Sequence, residues 1–340
     1  MHHLAERILK GEVRATARAM RLVDDRMPDA TTVLKDLFPH TGKAWVLGVT
    51  GNPGSGKSTL CDRLIEHFRK QNKRVGVIAV DPSSPYSGGA ILGDRIRMTR
   101  HATDDGVFIR SVATRGHLGG LSRSARDLVR ILDAHGSDVV IVETVGVGQD
   151  ELEITRTAHT TLVVMAPGLG DDVQAIKAGL MECADAFAVN KADREGADAT
   201  VRDLQLMIAL GSETMIAAGK QRGHAVHSEQ DGTVENASRS RTMWTPPIVK
   251  CVALRGEGIA ELVTELEKHH AWVTTTEEGR ARRHARLAEE LRETLREALI
   301  DAATENLGPA IEEAVRAVED KTRDPYSATE DLVAKFRSTK

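Results

Sequence analysis

The run Gly51-Asn52-Pro53-Gly54-Ser55-Gly56-Lys57-Ser58 matches the G-x-x-x-x-G-K-[ST] pattern of a phosphate-binding loop. Its glycines let backbone N–H groups turn inward around an anion, and the helix expected to follow adds a favourable partial positive charge. Lys57 is placed to reach the outer phosphates of a nucleotide, the Ser58 hydroxyl to ligate Mg²⁺, and Thr59 to complete the binding run. A second group, Asn190-Lys191-Ala192-Asp193, suits a purine base. A carboxylate at Asp193 can accept from N1–H and the exocyclic amine of guanine. Adenine offers an acceptor at N1 and would leave that carboxylate unpaired, so the group discriminates between the two bases. Asn190 can fix the loop and the base edge, and the Lys191 stem can cover the ring. A backbone N–H from Ala253 or Leu254, at the end of the next apolar run, is the expected partner for O6.

A third group is acidic. Glu143 ends the run Val139–Val142, the place of a metal-side carboxylate beside a phosphate loop, and Gly146 suits a backbone contact to the γ-phosphate. Gln149 either positions water or starts a helix. Asp81 and Asp94 can hold Mg²⁺ through water, the ion's usual habit; the plainer roles for them are a turn before Pro82 and a helix cap. The stretch Gly168–Lys177, with Asp171 and Lys177, reads as a switch segment or as a capped strand-to-helix loop. His117 lies in a glycine-rich loop that can touch a partner.

Positioning these groups requires strands that end together. Short apolar runs at Trp45–Thr50, Val75–Val80, Val107–Val112, Val139–Val142, Thr161–Ala166, Ala186–Val189 and Ile248–Ala253 alternate with amphipathic stretches. Those stretches are Lys57–Lys70, Ser122–His135, Val173–Glu182, Ala199–Leu210 and Ile259–His270. Unbroken apolar strands alternating with helices predict an α/β fold, a P-loop NTPase with a mostly parallel sheet covered on both faces. The expected division is an N-terminal helical extension over 1–40, a nucleotide domain over 41–270 and a C-terminal helical arm over 271–340. In the arm, Leu287, Leu291, Leu295 and Leu299 fall four apart, with Glu289/Arg292 and Glu293/Arg296 on the outer face. Gly308-Pro309 is expected to restart a helix, and Ser327-x-x-Glu330 to cap the last one. Residues 219–241 are polar and turn-rich and read as a mobile surface insertion.

Composition excludes several classes of function. The chain has 46 Lys+Arg against 50 Asp+Glu, a formal net charge of −4, which argues against a nucleic-acid partner. Aromatic residues make up 3%, too few for a base-stacking surface. Cys61, Cys183 and Cys251 are odd in number and widely spaced, so neither a disulfide framework nor a cysteine-based zinc site fits. The histidines form no metal-ligating spacing. The cysteine usage points to a reducing cytoplasm; no stretch approaches the roughly 20 apolar residues that span a bilayer and the first residues lack a secretory h-region, so no membrane partner is expected.

Together, the phosphate loop, Val80-Asp81-Pro82-Ser83-Ser84-Pro85, Gly93-Asp94-Arg95-Ile96-Arg97-Met98, Glu143-Thr144-Val145-Gly146-Val147-Gly148-Gln149 and Asn190–Asp193 resemble the MeaB/ArgK-type G proteins. These are GTPase chaperones of adenosylcobalamin-dependent methylmalonyl-CoA mutase. The resemblance covers the whole chain, including Trp244-Thr245-Pro246-Pro247 and the helical tail. It implies binding of GTP and GDP, Mg²⁺ as cofactor, and hydrolysis coupled to loading or protecting cobalamin in that mutase or a related one. It implies that Lys57, Ser58, Asp81, Asp94 and Glu143 form the phosphate, Mg²⁺ and hydrolysis set, and that Asn190, Lys191 and Asp193 read the base. It also implies that the loop through Asp171 and Lys177 reports nucleotide state to the mutase, and that the protein is a homodimer joined through its tail.

Three other classes of protein share parts of this pattern. An ATP-using kinase linked to arginine or ornithine transport conflicts with Asp193. A nickel metallochaperone GTPase should carry a Cys/His cluster near the N-terminus, where only His2-His3 is found. A scaffold that binds nucleotide without hydrolysing it would be indifferent to the loss of Lys57.

Overall fold

A computed structural model describes residues 1–82, 98–101, 103–114, 120–144, 157–168, 184–223 and 244–338. Seven parallel strands form one sheet in the order β3-β2-β4-β1-β5-β6-β7. They are β1 (Trp45–Thr50), β2 (Val75–Pro82), β3 (Val107–Thr114), β4 (Val139–Glu143), β5 (Thr160–Met165), β6 (Ala186–Val189) and β7 (Ile248–Lys250). The chain is an α/β P-loop NTPase, as its sequence pattern predicts.

Period-two alternation explains why the strands read as unbroken apolar runs. Leu47, Val49, Val77, Ile141, Leu162 and Val164 face α4 (Lys57–Lys70) on one side of the sheet. Their neighbours Val46, Ile78, Val80, Val140 and Val142 face the other side, against α5 (Gly120–Ala134). At the far edge, Val163, Met165, Phe187 and Val189 pack under α6 (Ala197–Gly223) with Leu204. A charged residue on either face would be buried.

The N-terminal residues form α1 (His3–Leu9), α2 (Val13–Asp24) and α3 (Pro28–Leu37). Their apolar stripes, among them Ile8, Ala19, Met20 and Leu37, join the hydrophobic core that includes α5. Asp133 on α5 accepts backbone N–H bonds from Gly42, Lys43 and Ala44 at 2.5, 3.3 and 3.0 Å. One carboxylate thus fixes how the chain leaves the helical layer for β1. Arg110 on β3 pairs with Asp24 at the end of α2 (2.5 Å).

After β7 come α7 (Ile259–Thr275), α8 (Glu277–Glu319) and α9 (Pro325–Ser338). The chain forms two compact units, Met1–Ala281 and Arg282–Lys340. Within the second, Leu287, Leu291, Leu295 and Leu299 are 51–70% exposed.

The structure departs from expectation at several element ends. Gly308-Pro309 does not restart a helix: α8 runs through Pro309 as one helix of 43 residues. An interior proline costs about 3 kcal/mol. The full turns on either side of Pro309 carry the helix through its single missing donor. The last helix is capped by Asp324, whose Oδ1 accepts from Tyr326 N and Ser327 N (both 3.0 Å), with Pro325 in the first helical position. Ser327 is therefore inside the helix and not its cap. β7 stops at Lys250, and Ala253–Arg255 form a 3₁₀ turn. The polar stretch begins as helix, since α6 continues to Gly223; residues 224–243 lie outside the described residues.

Candidate functional site

The parallel strands end on one edge, and β1 there feeds the loop Gly51–Gly56 into α4. Steric demands set two of its glycines. Gly51 has φ +136°, and a Cβ there would lie 2.1 Å from the carbonyl oxygen of Val164 on β5. Gly56 has φ +91°, and its Cβ would lie 2.4 Å from Asn190 Nδ2. Pro53 and Gly54, at the outer rim of the loop, are exposed.

Lys57 is buried, and its ammonium donates to the carbonyls of Gly51 (2.7 Å) and Asn52 (3.0 Å). The loop therefore carries its own buried cation, held by backbone oxygens that an anion can replace. Ser58 Oγ donates to Glu143 Oε1 (2.7 Å). That bond follows from strand register, because Glu143 lies beside Val49 on β1. Thr59, one residue further along α4, is half-buried. Thr144, the next residue after Glu143, donates its hydroxyl to Thr50 Oγ1 (3.0 Å) and its N–H to Val49 O (3.1 Å), pinning the end of β4 beside the loop.

The base-side group is built around Asn190, which is 2% exposed. Its Nδ2 donates to Ser55 O (2.8 Å), and its Oδ1 accepts from Ala253 N (3.0 Å). One amide side chain thereby ties the phosphate loop to the turn after β7. Lys191 takes the left-handed conformation (φ +56°) and donates from Nζ to Gly54 O (2.6 Å). Ala192 N donates to Cys251 O (3.0 Å). The Asp193 carboxylate, 40% exposed, lies 3.2 Å from Arg255. Because the Ala253 N–H is given to Asn190, the amide of Leu254 is the remaining candidate donor to a base oxygen. Burial pushes the Cys251 thiol up to about 12, so it stays a neutral thiol.

The structure thus gathers Lys57, Ser58, Glu143, Asn190, Lys191, Asp193, Ala253 and Leu254 at one edge of the sheet. Asp81 lies on β2, beside Ala113 of β3 in the strand register. Asp94, Gly146, Asp171 and Lys177, with His117 and Gln149, lie outside the described residues. Among the described residues no cluster of His, Cys, Asp and Glu could by itself hold a metal. Sequence reasoning missed Arg63, whose Nε and Nη2 donate to the carbonyls of Ala253 (2.9 Å) and Leu254 (2.8 Å). It also missed Arg255, which pairs with Glu257 at 2.6 Å as well as with Asp193. Neither stands at a motif position. The only signal is their closeness in sequence to the two loops.

A glycine-rich phosphate loop after β1, a carboxylate on the adjacent strand bonded to Ser58, and an Asn-Lys-x-Asp loop bonded to the phosphate loop define a P-loop GTPase. Residues 16–307 match the family model described as methylmalonyl-CoA mutase-associated GTPase MeaB, and the chain belongs to that family. It is 45% identical over 333 residues to a putative GTPase of Pyrococcus abyssi, covering 98% of this chain and 95% of that one. It is 34% identical over 332 residues to the Escherichia coli GTPase ArgK, covering 96% of this chain and 93% of that one. The crystal structure named LAO/AO transport system kinase aligns with TM-score 0.64 at 28% identity, over 98% of this chain and 96% of that one. The chain is a GTPase.

Proposed function

We propose that this GTPase acts as a chaperone that assists loading or protection of adenosylcobalamin in methylmalonyl-CoA mutase or a related mutase. Support comes from the family match over residues 16–307, whose description names a mutase association. The observation that carries the nucleotide reading is the pair of bonds from Asn190 to Ser55 and Ala253, because one buried side chain sets phosphate loop and base loop at a fixed separation.

In the proposed reaction Lys57 leaves the carbonyls of Gly51 and Asn52 for the β- and γ-phosphate oxygens and offsets charge that builds up as water attacks the γ-phosphorus in line. The bond from phosphorus to the bridging oxygen breaks, giving GDP and inorganic phosphate. Ser58 and Glu143 supply an all-oxygen donor pair, which fits Mg²⁺, an ion that keeps several waters and takes the rest of its shell from the nucleotide. Asp81 and Asp94 would join that set through water. When bound, Mg²⁺ supplies charge neutralisation on the phosphates. Glu143 accepts from Ser58 and so aims its hydroxyl. Asp193 reads guanine N1–H and the amine, and Leu254 N–H faces O6. Gly146 contacts the γ-phosphate, and the segment through Asp171 and Lys177 acts as the switch.

Residues 271–340 serve as the dimerisation arm of a cytoplasmic homodimer. A four-residue leucine stripe that is half or more exposed in one chain is the expected seam between two. Light scattering of Leu295→Asp should report a monomer where the parent is a dimer.

Co-purification of a cobalamin mutase from cell extract, on resin-bound protein with GDP or a non-hydrolysable GTP analogue, tests the chaperone reading. A mutase retained in one nucleotide state is expected. Retention of no mutase in either state would sink it. Titration calorimetry with GTP and ATP tests the base assignment. Equal affinities would instead favour a transport-linked kinase of the kind that the solved relative's name describes.

A further inference from the structure

The base-reading groups belong to loops, and loops need something to hold them. The turn after β7 is short and compact: Val252 and Glu257 pair across it as an antiparallel bridge, and Gly256 (φ +74°) and Gly258 (φ +76°) set its corners. Two arginines grip this turn, one from the helix beside it and one from within it.

Arg63 comes from α4, the helix that begins at Lys57. Its guanidinium donates to both Ala253 O and Leu254 O, carbonyls that flank the amide of Leu254. A third N–H goes to Glu66 at 2.9 Å, and Glu66 is held in turn by Lys70 (2.9 Å) and Arg100 (3.2 Å). Lys70 and Arg63 hold the Glu66 carboxyl down at about 2, so it is a permanent anchor at neutral pH. A planar fork with fixed donor directions suits this work better than a flexible ammonium. Arg255 belongs to the turn itself. Its guanidinium pairs with Glu257 through two nitrogens (2.6 and 3.2 Å) and with Asp193 through Nη1 (3.2 Å). Glu257 therefore orients Arg255, and Arg255 orients the carboxylate expected to read guanine.

We propose that Arg63 and Arg255 are positioning residues that set guanine specificity, Arg63 by fixing the amide that faces O6 and Arg255 by aiming Asp193. This rests on the reading that Asp193 and Leu254 recognise guanine. Arg63 governs the contact to O6 and Arg255 the contacts to N1–H and the amine, so each carries its own signature. Hypoxanthine keeps O6 and N1–H but lacks the exocyclic amine, and adenine has neither O6 nor N1–H. Loss of Arg63 weakens the O6 contact shared by GDP and IDP. Loss of Arg255 loosens the carboxylate that alone distinguishes the amine. Both leave the phosphate contacts in place, since those belong to Gly51–Ser58.

The test is titration calorimetry of the full chain with GDP, IDP and ADP, with thermal denaturation of each variant as a folding control. Arg63→Ala should lower the GDP/ADP affinity ratio about tenfold and leave GDP/IDP unchanged, the size of one lost polar contact to a base. Arg255→Ala should lower GDP/IDP about threefold, less because the pair is partly solvated. Arg63→Lys, which keeps one donor, should give an intermediate GDP/ADP ratio and serves if the alanine variant does not fold. Ratios within twofold of the parent in the folded variants would overturn the proposal. Asp193→Asn separates this from the underlying reading. If it loses GDP binding while the arginine variants keep both ratios, only the positioning role fails. If it binds GDP as the parent does, guanine is not read at Asp193 and the proposal falls with that reading.

Discussion

The two ends of the central sheet bury polar side chains under the same physical rule, with opposite consequences. At the amino ends, Trp45 Nε1 donates to Thr160 Oγ1 (3.1 Å), and Thr160 Oγ1 lies 3.0 Å from His269 Nδ1. His269 Nε2 lies 3.3 Å from Asp185, whose other oxygen accepts from Thr161 N (2.8 Å). Trp244 Nε1 donates to Asp185 O (2.7 Å), and the rings of Trp244 and Trp272 pack on His269 at 4.8 and 5.7 Å. All three tryptophans of the chain are spent here. Side chains satisfy one another, rings close the space, and His269 has no exposed surface. At the carboxyl ends the partners of Lys57, Lys191 and Asn190 are mainly backbone atoms of the binding loops. Such bonds hold a cation or an amide at the rim of a ligand site and can be exchanged for bonds to the ligand. A network closed on itself serves stability. A network borrowed from loop carbonyls serves binding.

That contrast can be broken by substitution. The largest effect is expected from Lys57→Ala, which should slow GTP hydrolysis about 10³-fold while leaving the melting temperature close to the parent's; phosphate release and thermal denaturation check the two halves. His269→Ala should do the reverse. Emptying a sealed site and removing the imidazole beside Asp185 should cost about 3 kcal/mol of stability with little change in turnover per folded molecule, measured by urea denaturation. A large loss of turnover in the folded fraction would show that the two ends are not independent. Asp193→Asn should weaken GTP binding about 10²-fold at unchanged stability, read by calorimetry, because its carboxylate is half in solvent. The smallest effect is electrostatic. The Glu66 carboxyl, lowered from 4.5 to about 2 by Lys70 and Arg63, contributes stability that is fully present above pH 4.5 and fades as pH falls towards 2. In Glu66→Gln that part of the acid-unfolding curve should flatten, as followed by circular dichroism.

Much of this architecture is legible from local pattern. The run Trp45–Thr50 followed by a glycine-rich loop and Lys57 gives strand, turn and helix without ambiguity, because each residue agrees with its neighbours. Alternation of apolar runs and amphipathic stretches gives the parallel sheet. Misreadings fall where two local signals compete. Gly308-Pro309 reads as a boundary, yet the helix passes through it. Asp324 outcompetes Ser327 as cap because the proline after it starts the helix earlier. Ile248–Ala253 reads as one strand, but Gly256 and Gly258 turn the chain back on itself and leave three residues paired.

By itself the sequence determined which residues can meet a phosphate, an oxygen-ligated cation and a guanine edge, since those are properties of side-chain type and of spacing within a loop. It also determined the order of strands and helices along the chain. Tertiary structure decided what lies beside what. It set Glu143 within reach of Ser58 through the pairing of β1 with β4, joined two distant loops through Asn190, and brought Arg63 from the phosphate helix to the base-reading turn. Contacts between residues 63 and 190 positions apart along the chain leave no period and no motif, because they depend on strand order and on the reach of single side chains.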